Sequence, residues 1–138
     1  MKIVVIVLSL ALISGTTHAK ICTERDVEAA DLAIDNLDSW EAIHKKYVAY
    51  AKCDDGSIAE GNSEAMARML IDKWQDIAKI QSLINHDSGF KNYVVRHIDA
   101  TLDTDDLHQT ITLSPESCLT KNKALCVKFI AAAKSAEK

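Results

Sequence analysis

The chain has 138 residues, a formal net charge of −4, one proline and four glycines. One domain of ordinary globular composition fits these values; a disordered or collagen-like chain does not. Sixteen basic against 20 acidic residues exclude a broad basic nucleic-acid face as the starting assumption, and 5% aromatic residues exclude a base-stacking platform.

Met1-Lys2 gives a short positive start, and Ile3 to Ile13 is an apolar run interrupted only by Ser9. Thr17 and Ala19 then place small residues where a signal peptidase reads them. Residues 1–19 therefore read as a signal peptide, too short to span a bilayer. A lipoprotein anchor does not fit, because Lys20 and Ile21 separate Cys22 from the cleavage point. The expected mature domain, residues 20–138, carries 15 basic and 20 acidic residues, net −5.

Beyond residue 22 the apolar spacing is helical. Thr23 with Asp26 forms a capping-box pattern ahead of Val27, Ala30, Ile34 and Leu37. Asp38 with Glu41 opens a second helix carrying Trp40, Ile43, Tyr47 and Tyr50. Ser63 is the expected N-cap of a third and longest helix, with a stripe of Met66, Met69, Leu70, Trp74, Ile77, Ile80, Leu83 and Ile84. Asp87 caps a fourth, with Phe90, Val94, Ile98 and Leu102, and Thr104 a short fifth around Leu107 and Ile111. Ser114-Pro115 suits the start of a single turn. The last helix spans about Lys121 to Ala136, with Leu125, Phe129 and Ile130 inward. Gln109–Leu113 alternates like a strand but has no partner strand. The expected fold is all-α, one small orthogonal or bundle-like domain of five to six helices.

Four cysteines in an exported chain predict two disulfides. The first two helices are joined almost directly and should lie antiparallel. Cys22 before one and Cys53 after the other then share the open end of the hairpin. Cys22–Cys53 is the expected bridge, and Cys118–Cys126 follows by exclusion.

The chemistry-bearing patterns are sparse. His44, His86, His97 and His108 sit in no HExxH, and neither GxSxG nor a glycine-rich phosphate loop occurs. No cysteine–histidine spacing suits zinc, and Asp54-Asp55-Gly56 lacks the alternating carboxylates of a calcium loop. No catalytic residue, metal or cofactor is expected. The distinctive stretch is the connector from Cys53 to Glu64, whose candidate partner-binding residues are Asp54, Asp55, Gly56, Ser57, Glu60, Asn62 and Glu64. Two readings stand open: a rigid turn with carboxylates on backbone N–H groups, or a partner-binding segment. Asp87 and Ser88, and Asp105 and Asp106, mark alternative acidic segments.

The run CDDGSIAEGNSEAMARMLIDKW, residues 53–74, resembles the signature of type VI secretion amidase immunity proteins, the Tai family, and within it the fourth, Rap-like class. Trp74, the stretch Phe90-Lys91-Asn92-Tyr93-Val94-Val95 and the C-terminal cysteine pair extend the resemblance over nearly all of residues 20–135. Asn62 stands where the resemblance leads one to expect a bulky residue. The resemblance implies a disulfide-bonded helical homodimer in the periplasm of a Gram-negative bacterium. It implies a two-plus-two complex with a secreted Cys/His peptidoglycan amidase that cuts between D-glutamate and diaminopimelate. Met69, Ile80 and Leu83 widen their stripe beyond one packed face, which also predicts a second copy. A different class of function, a helical carrier of an apolar ligand, would place Met66, Met69, Trp74 and Phe90 around a pocket.

Overall fold

The computed structural model describes residues 21–113, 118 and 120–138. The expected signal peptide and the Ser114-Pro115 turn lie outside them. Among the described residues the chain forms seven α-helices and no strand: α1 (Glu24–Leu32), α2 (Trp40–Tyr50), α3 (Gly56–Asp72), α4 (Ile77–His86), α5 (Ser88–Arg96), α6 (Thr104–Thr112) and α7 (Lys123–Ala136). Short 3-10 turns, Ile34–Asn36, Ala51–Cys53, Trp74–Asp76 and Thr120–Asn122, articulate them. The fold is all-α as expected, with more helices than the five to six anticipated. The strand-like Gln109–Leu113 segment is the end of α6 with its C-cap, Leu113.

Helix starts follow local chemistry. Thr23 Oγ1 accepts from the Asp26 N–H at 3.2 Å while the Asp26 carboxylate accepts from the Thr23 N–H at 3.1 Å, the reciprocal capping box. Asp87 caps α5, accepting from the Gly89 N–H at 3.2 Å. At α2 and α6 the cap lies one residue from the expected position. Ser39 rather than Asp38 accepts from the Ala42 N–H, and Asp103 rather than Thr104 accepts from the Asp105 N–H.

The third helix departs further from expectation. Ser63 does not cap it. Asp55, in extended geometry, accepts from the Gly56 N–H at 2.8 Å and starts α3 two turns earlier. The acidic connector is therefore the first half of a helix, and Ser63 is buried within it. Nor does the apolar stripe form one long helix. The chain leaves helical geometry at Lys73 (φ −129, ψ 38) and passes through the Trp74–Asp76 turn into α4.

That break has a packing consequence. It brings Ile77, Ile80 and Ile84 onto the same core as Met66, Met69, Leu70, Phe90, Val94 and Phe129. Met69, Ile80 and Leu83, whose spacing predicts a face for a second copy, are thus part of this core, the first two buried and Leu83 partly so. Met66, Trp74 and Phe90 are buried in it as well. Helix α6 lies along α7 and against α3, and α4 packs on α2 and α5.

A second, smaller cluster of Ala30, Cys53 and Ile58, joined by Cys22 and Tyr50, surrounds the first disulfide. Both expected bridges are present: Cys22–Cys53 with Cα atoms 5.1 Å apart, and Cys118–Cys126 with Cα atoms 6.7 Å apart. Val27, expected inward, is exposed, because α1 meets the domain chiefly through Ala30 and the bridge.

Gly56 has φ +52, the one positive φ among the described residues, and an added Cβ would meet nothing within 4 Å. Gly56→Ala should therefore cost about 1–2 kcal/mol through backbone strain alone. Gly61→Ala, inside α3, should be close to neutral. Its Cβ would lie 2.7 Å from Ile34 Cδ1 and 3.2 Å from Ile34 Cγ2, so the Ile34 side chain must shift, and this offsets the gain of about 1 kcal/mol in helix propensity that alanine brings. Urea unfolding of the two variants should rank them in that order.

Candidate functional site

A buried polar chain underlies the acidic segment. Lys46 belongs to the inward stripe of α2 and donates to the Asn62 side-chain carbonyl. The Asn62 amide donates in turn to Asp54 Oδ1 at 2.8 Å. Asp54 Oδ2 accepts from His97 Nε2 at 2.9 Å and from Arg96. A carboxylate can only accept, so Nε2 carries the proton. His97 Nδ1 lies 2.9 Å from Ser63 Oγ, which also points at Asp99 at 3.5 Å. The Arg96 guanidinium sits 5.3 Å over the Tyr93 ring.

The electrostatics follow from this burial. The side chains of Asp54 and His97 are each 2% exposed, whereas Arg96 is 58% exposed. Burial pushes the Asp54 carboxyl up, but hydrogen bonds from His97 and Asn62 and the charges of His97 and Arg96 outweigh it. The group is left below the ordinary carboxylate range. Burial pulls the Lys46 ammonium down, with Asp54 and Asp31 opposing, and pushes the Tyr93 phenol well up.

Ser63, His97 and Asp54 are the residue types of a hydrolase triad, but the arrangement is inverted, with serine at Nδ1 and the carboxylate at Nε2. Ser63 is also 1% exposed, so its hydroxyl meets no substrate in this geometry. The buried polar network acts as a brace within the fold. It ties the start of α3 to the end of α5 and to the Asp99–Thr101 turn that leads into α6.

Those tied elements form the walls of an open groove of about 1020 Å³. Ser57, Glu60 and Glu64 of α3 form one wall, and Asp103, Asp105 and Asp106 at the start of α6 the other. Among the described residues five carboxylates thus face a single cation, Arg68, which pairs with Glu64 at 3.0 Å. Two acidic segments that the sequence offers as alternatives are here two sides of one feature.

The remaining candidates are placed differently. Asp54 and Asn62 point inward, and both side chains are buried in the polar network. Asp55 is exposed and caps α3, and Gly56 makes the turn into it. Asp87 and Ser88 do not line the groove. Asp87 caps α5 and lies 3.2 Å from His44 Nε2, and Ser88 is the exposed first residue of α5.

The network of Lys46, Arg96, Ser63 and Asp99, and Arg68 as the groove's cation, do not stand out in the sequence. One signal was present. Lys46 falls three residues after Ile43 on an apolar stripe, and a lysine there needs a buried partner.

Among the described residues no helix is long and apolar enough to cross a membrane, and no group of three or more His, Cys, Asp or Glu is disposed to hold a metal ion. Compared with family models, with curated proteins and with solved structures, the chain has no match.

Proposed function

We propose that the chain is a periplasmic immunity protein that binds and blocks a type VI-secreted peptidoglycan amidase of the Cys/His class. The observation that carries this reading is the convergence of Ser57–Glu64 and Asp103–Asp106 on one acidic groove. An inhibitor of a hydrolase needs a pre-organised surface, because ordering a loose one on docking consumes binding energy. Here both walls are helical, and the buried Asp54–His97 chain and the Cys22–Cys53 bridge hold them before any partner arrives. Carboxylates at the rim of such a groove accelerate encounter with a basic cleft and disfavour acidic competitors. Two disulfides suit an oxidising compartment, and the resemblance of residues 53–74 names the partner class.

In this reading the protein is a stoichiometric inhibitor and not an enzyme. The homodimer and the two-plus-two complex belong to the same proposal and rest on the resemblance. The carrier reading gains no support from Met66, Trp74 and Phe90, which are packed into the core.

Co-purification with a candidate amidase, followed by a cell-wall hydrolysis assay, tests the proposal. Glu60→Gln with Asp105→Asn should leave the circular dichroism spectrum and melting unchanged, since both residues are exposed. The pair should slow association about tenfold at low salt, with a smaller effect at high salt. Unchanged association, or full neutralisation at one-to-one stoichiometry with no loss of rate, would remove the groove from the inhibitory surface.

A further inference from the structure

On the other side of the Glu64–Arg68 pair lies a second groove, of about 430 Å³, between α3 and the 3-10 turn after α1. Its chemistry differs from that of its neighbour. The floor is apolar, made by Ile34, Leu37, Ala65 and Met69. The rim is acidic, made by Asp35, Asp38, Glu64 and Asp72. Its two cations among the described residues are already engaged: Arg68 with Glu64 at 3.0 Å, and Lys73 donating to the Asp38 backbone carbonyl at 2.8 Å. Asp35, Asp38 and Asp72 form no ion pair among the described residues.

We propose that this groove docks an arginine presented by a protein partner. An aliphatic floor below a carboxylate rim is complementary to that one side chain. The three-carbon stem covers apolar surface while the planar guanidinium donates to carboxylates in pairs. Lysine would offer only a point charge to a rim of several acceptors. A second copy of this chain is the poorer occupant, because a two-fold contact would set this acidic face against itself. As a statement about the amidase, the inference rests on the function proposed for the chain; as a statement about the groove, it does not.

The test titrates the purified, isotope-labelled protein with a capped hexapeptide carrying two arginines three residues apart, beside a control peptide with glutamines. Amide shifts should cluster at Gly61, Ala65, Met69 and Lys73 with the arginine peptide only. Asp35→Asn with Asp72→Asn should weaken binding about three- to tenfold. Ala65→Gln, which fills the groove at a helical position that tolerates it, should abolish the shifts while melting stays unchanged. Equal binding of the glutamine peptide, shifts elsewhere, or an unaffected Ala65→Gln variant would overturn the assignment. So would light scattering that shows a dimer abolished by Ala65→Gln, since the occupant would then be a second copy. A protein that binds the peptide but protects against no amidase keeps the groove and loses the amidase reading. A protein that protects but fails the titration does the reverse.

Discussion

Asp54→Ala should destabilise the protein by about 3–5 kcal/mol, the usual cost of removing one partner from a buried ionic network. The substitution strands His97 Nε2, the Asn62 amide and Lys46 behind it in a region with almost no water access. Arg96, largely exposed, re-solvates and adds little. A loss of this size lowers the melting temperature by on the order of 10–20 °C for a domain of this length. Asp55→Ala is the control. Its exposed carboxylate holds only the Gly56 N–H, so about 1 kcal/mol is expected.

The pH dependence gives a second readout. The Asp54 carboxyl is held below its ordinary value of 3.8 in the folded state, so it favours folding wherever the unfolded group is ionised. That contribution is complete above about pH 5 and is lost progressively as pH falls through the depressed value. Asp26 behaves in the same sense. The hydrogen bond from Lys52, with those from Thr23, holds it down to about 2. Thermal unfolding between pH 7 and pH 2 should therefore show a steep acid limb in the parent chain and a shallower one in Asp54→Ala. Parallel limbs would show that the acid sensitivity arises elsewhere.

Removing the two disulfides should have unequal effects. Cys22–Cys53 closes a separation of 31 residues and Cys118–Cys126 one of 8. Loop-closure entropy gives about 3.7 kcal/mol for the first and about 2.5 kcal/mol for the second. The first bridge also lies in the small cluster with Ala30 and Ile58, much of what attaches α1 to the domain. Cys22→Ala with Cys53→Ala should cost the larger amount and leave α1 susceptible to proteolysis. Cys118→Ala with Cys126→Ala should cost less and leave α1 protected. A reversal of that order in urea unfolding would show that something other than chain entropy governs what each bridge contributes.

What could be read from the sequence was what is local. The Thr23–Asp26 box, the Asp87 cap and the apolar faces of α2, α5 and α7 depend on residues within a few positions of one another, and the cysteine pairing follows from one hairpin. The start of α3 was hidden because Gly61 and Asn62 are poor helix residues taken alone. Their compensation is tertiary: Lys46 and Asp54 hold the Asn62 amide, and Ile34 packs where a Gly61 side chain would be. The division at Trp74 was hidden for the opposite reason, since Ile77, Ile80 and Ile84 continue the helical period across it. The groove was half legible. Both acidic segments stand out, but nothing in their spacing says that they face each other. That follows from the contacts of His97 and Asp99 with residues 34 to 43 positions earlier.

The same span of sequence sets an order of assembly. The α1–α2 hairpin and its bridge involve only residues up to Cys53, so this part can close while the rest of the chain is still emerging. The first turn of α3 cannot settle in the same way. Asp54 Oδ1 can accept from the nearby Asn62 amide, but Oδ2 has no donor until Arg96 and His97 arrive, and contacts of such separation form slowly. The acidic face is therefore among the last features to mature, after the hairpin has oxidised. Refolding of the disulfide-intact chain should show early helical signal from the N-terminal pair and a later step, delayed in His97→Gln, in which amides of residues 56–64 gain protection from hydrogen exchange.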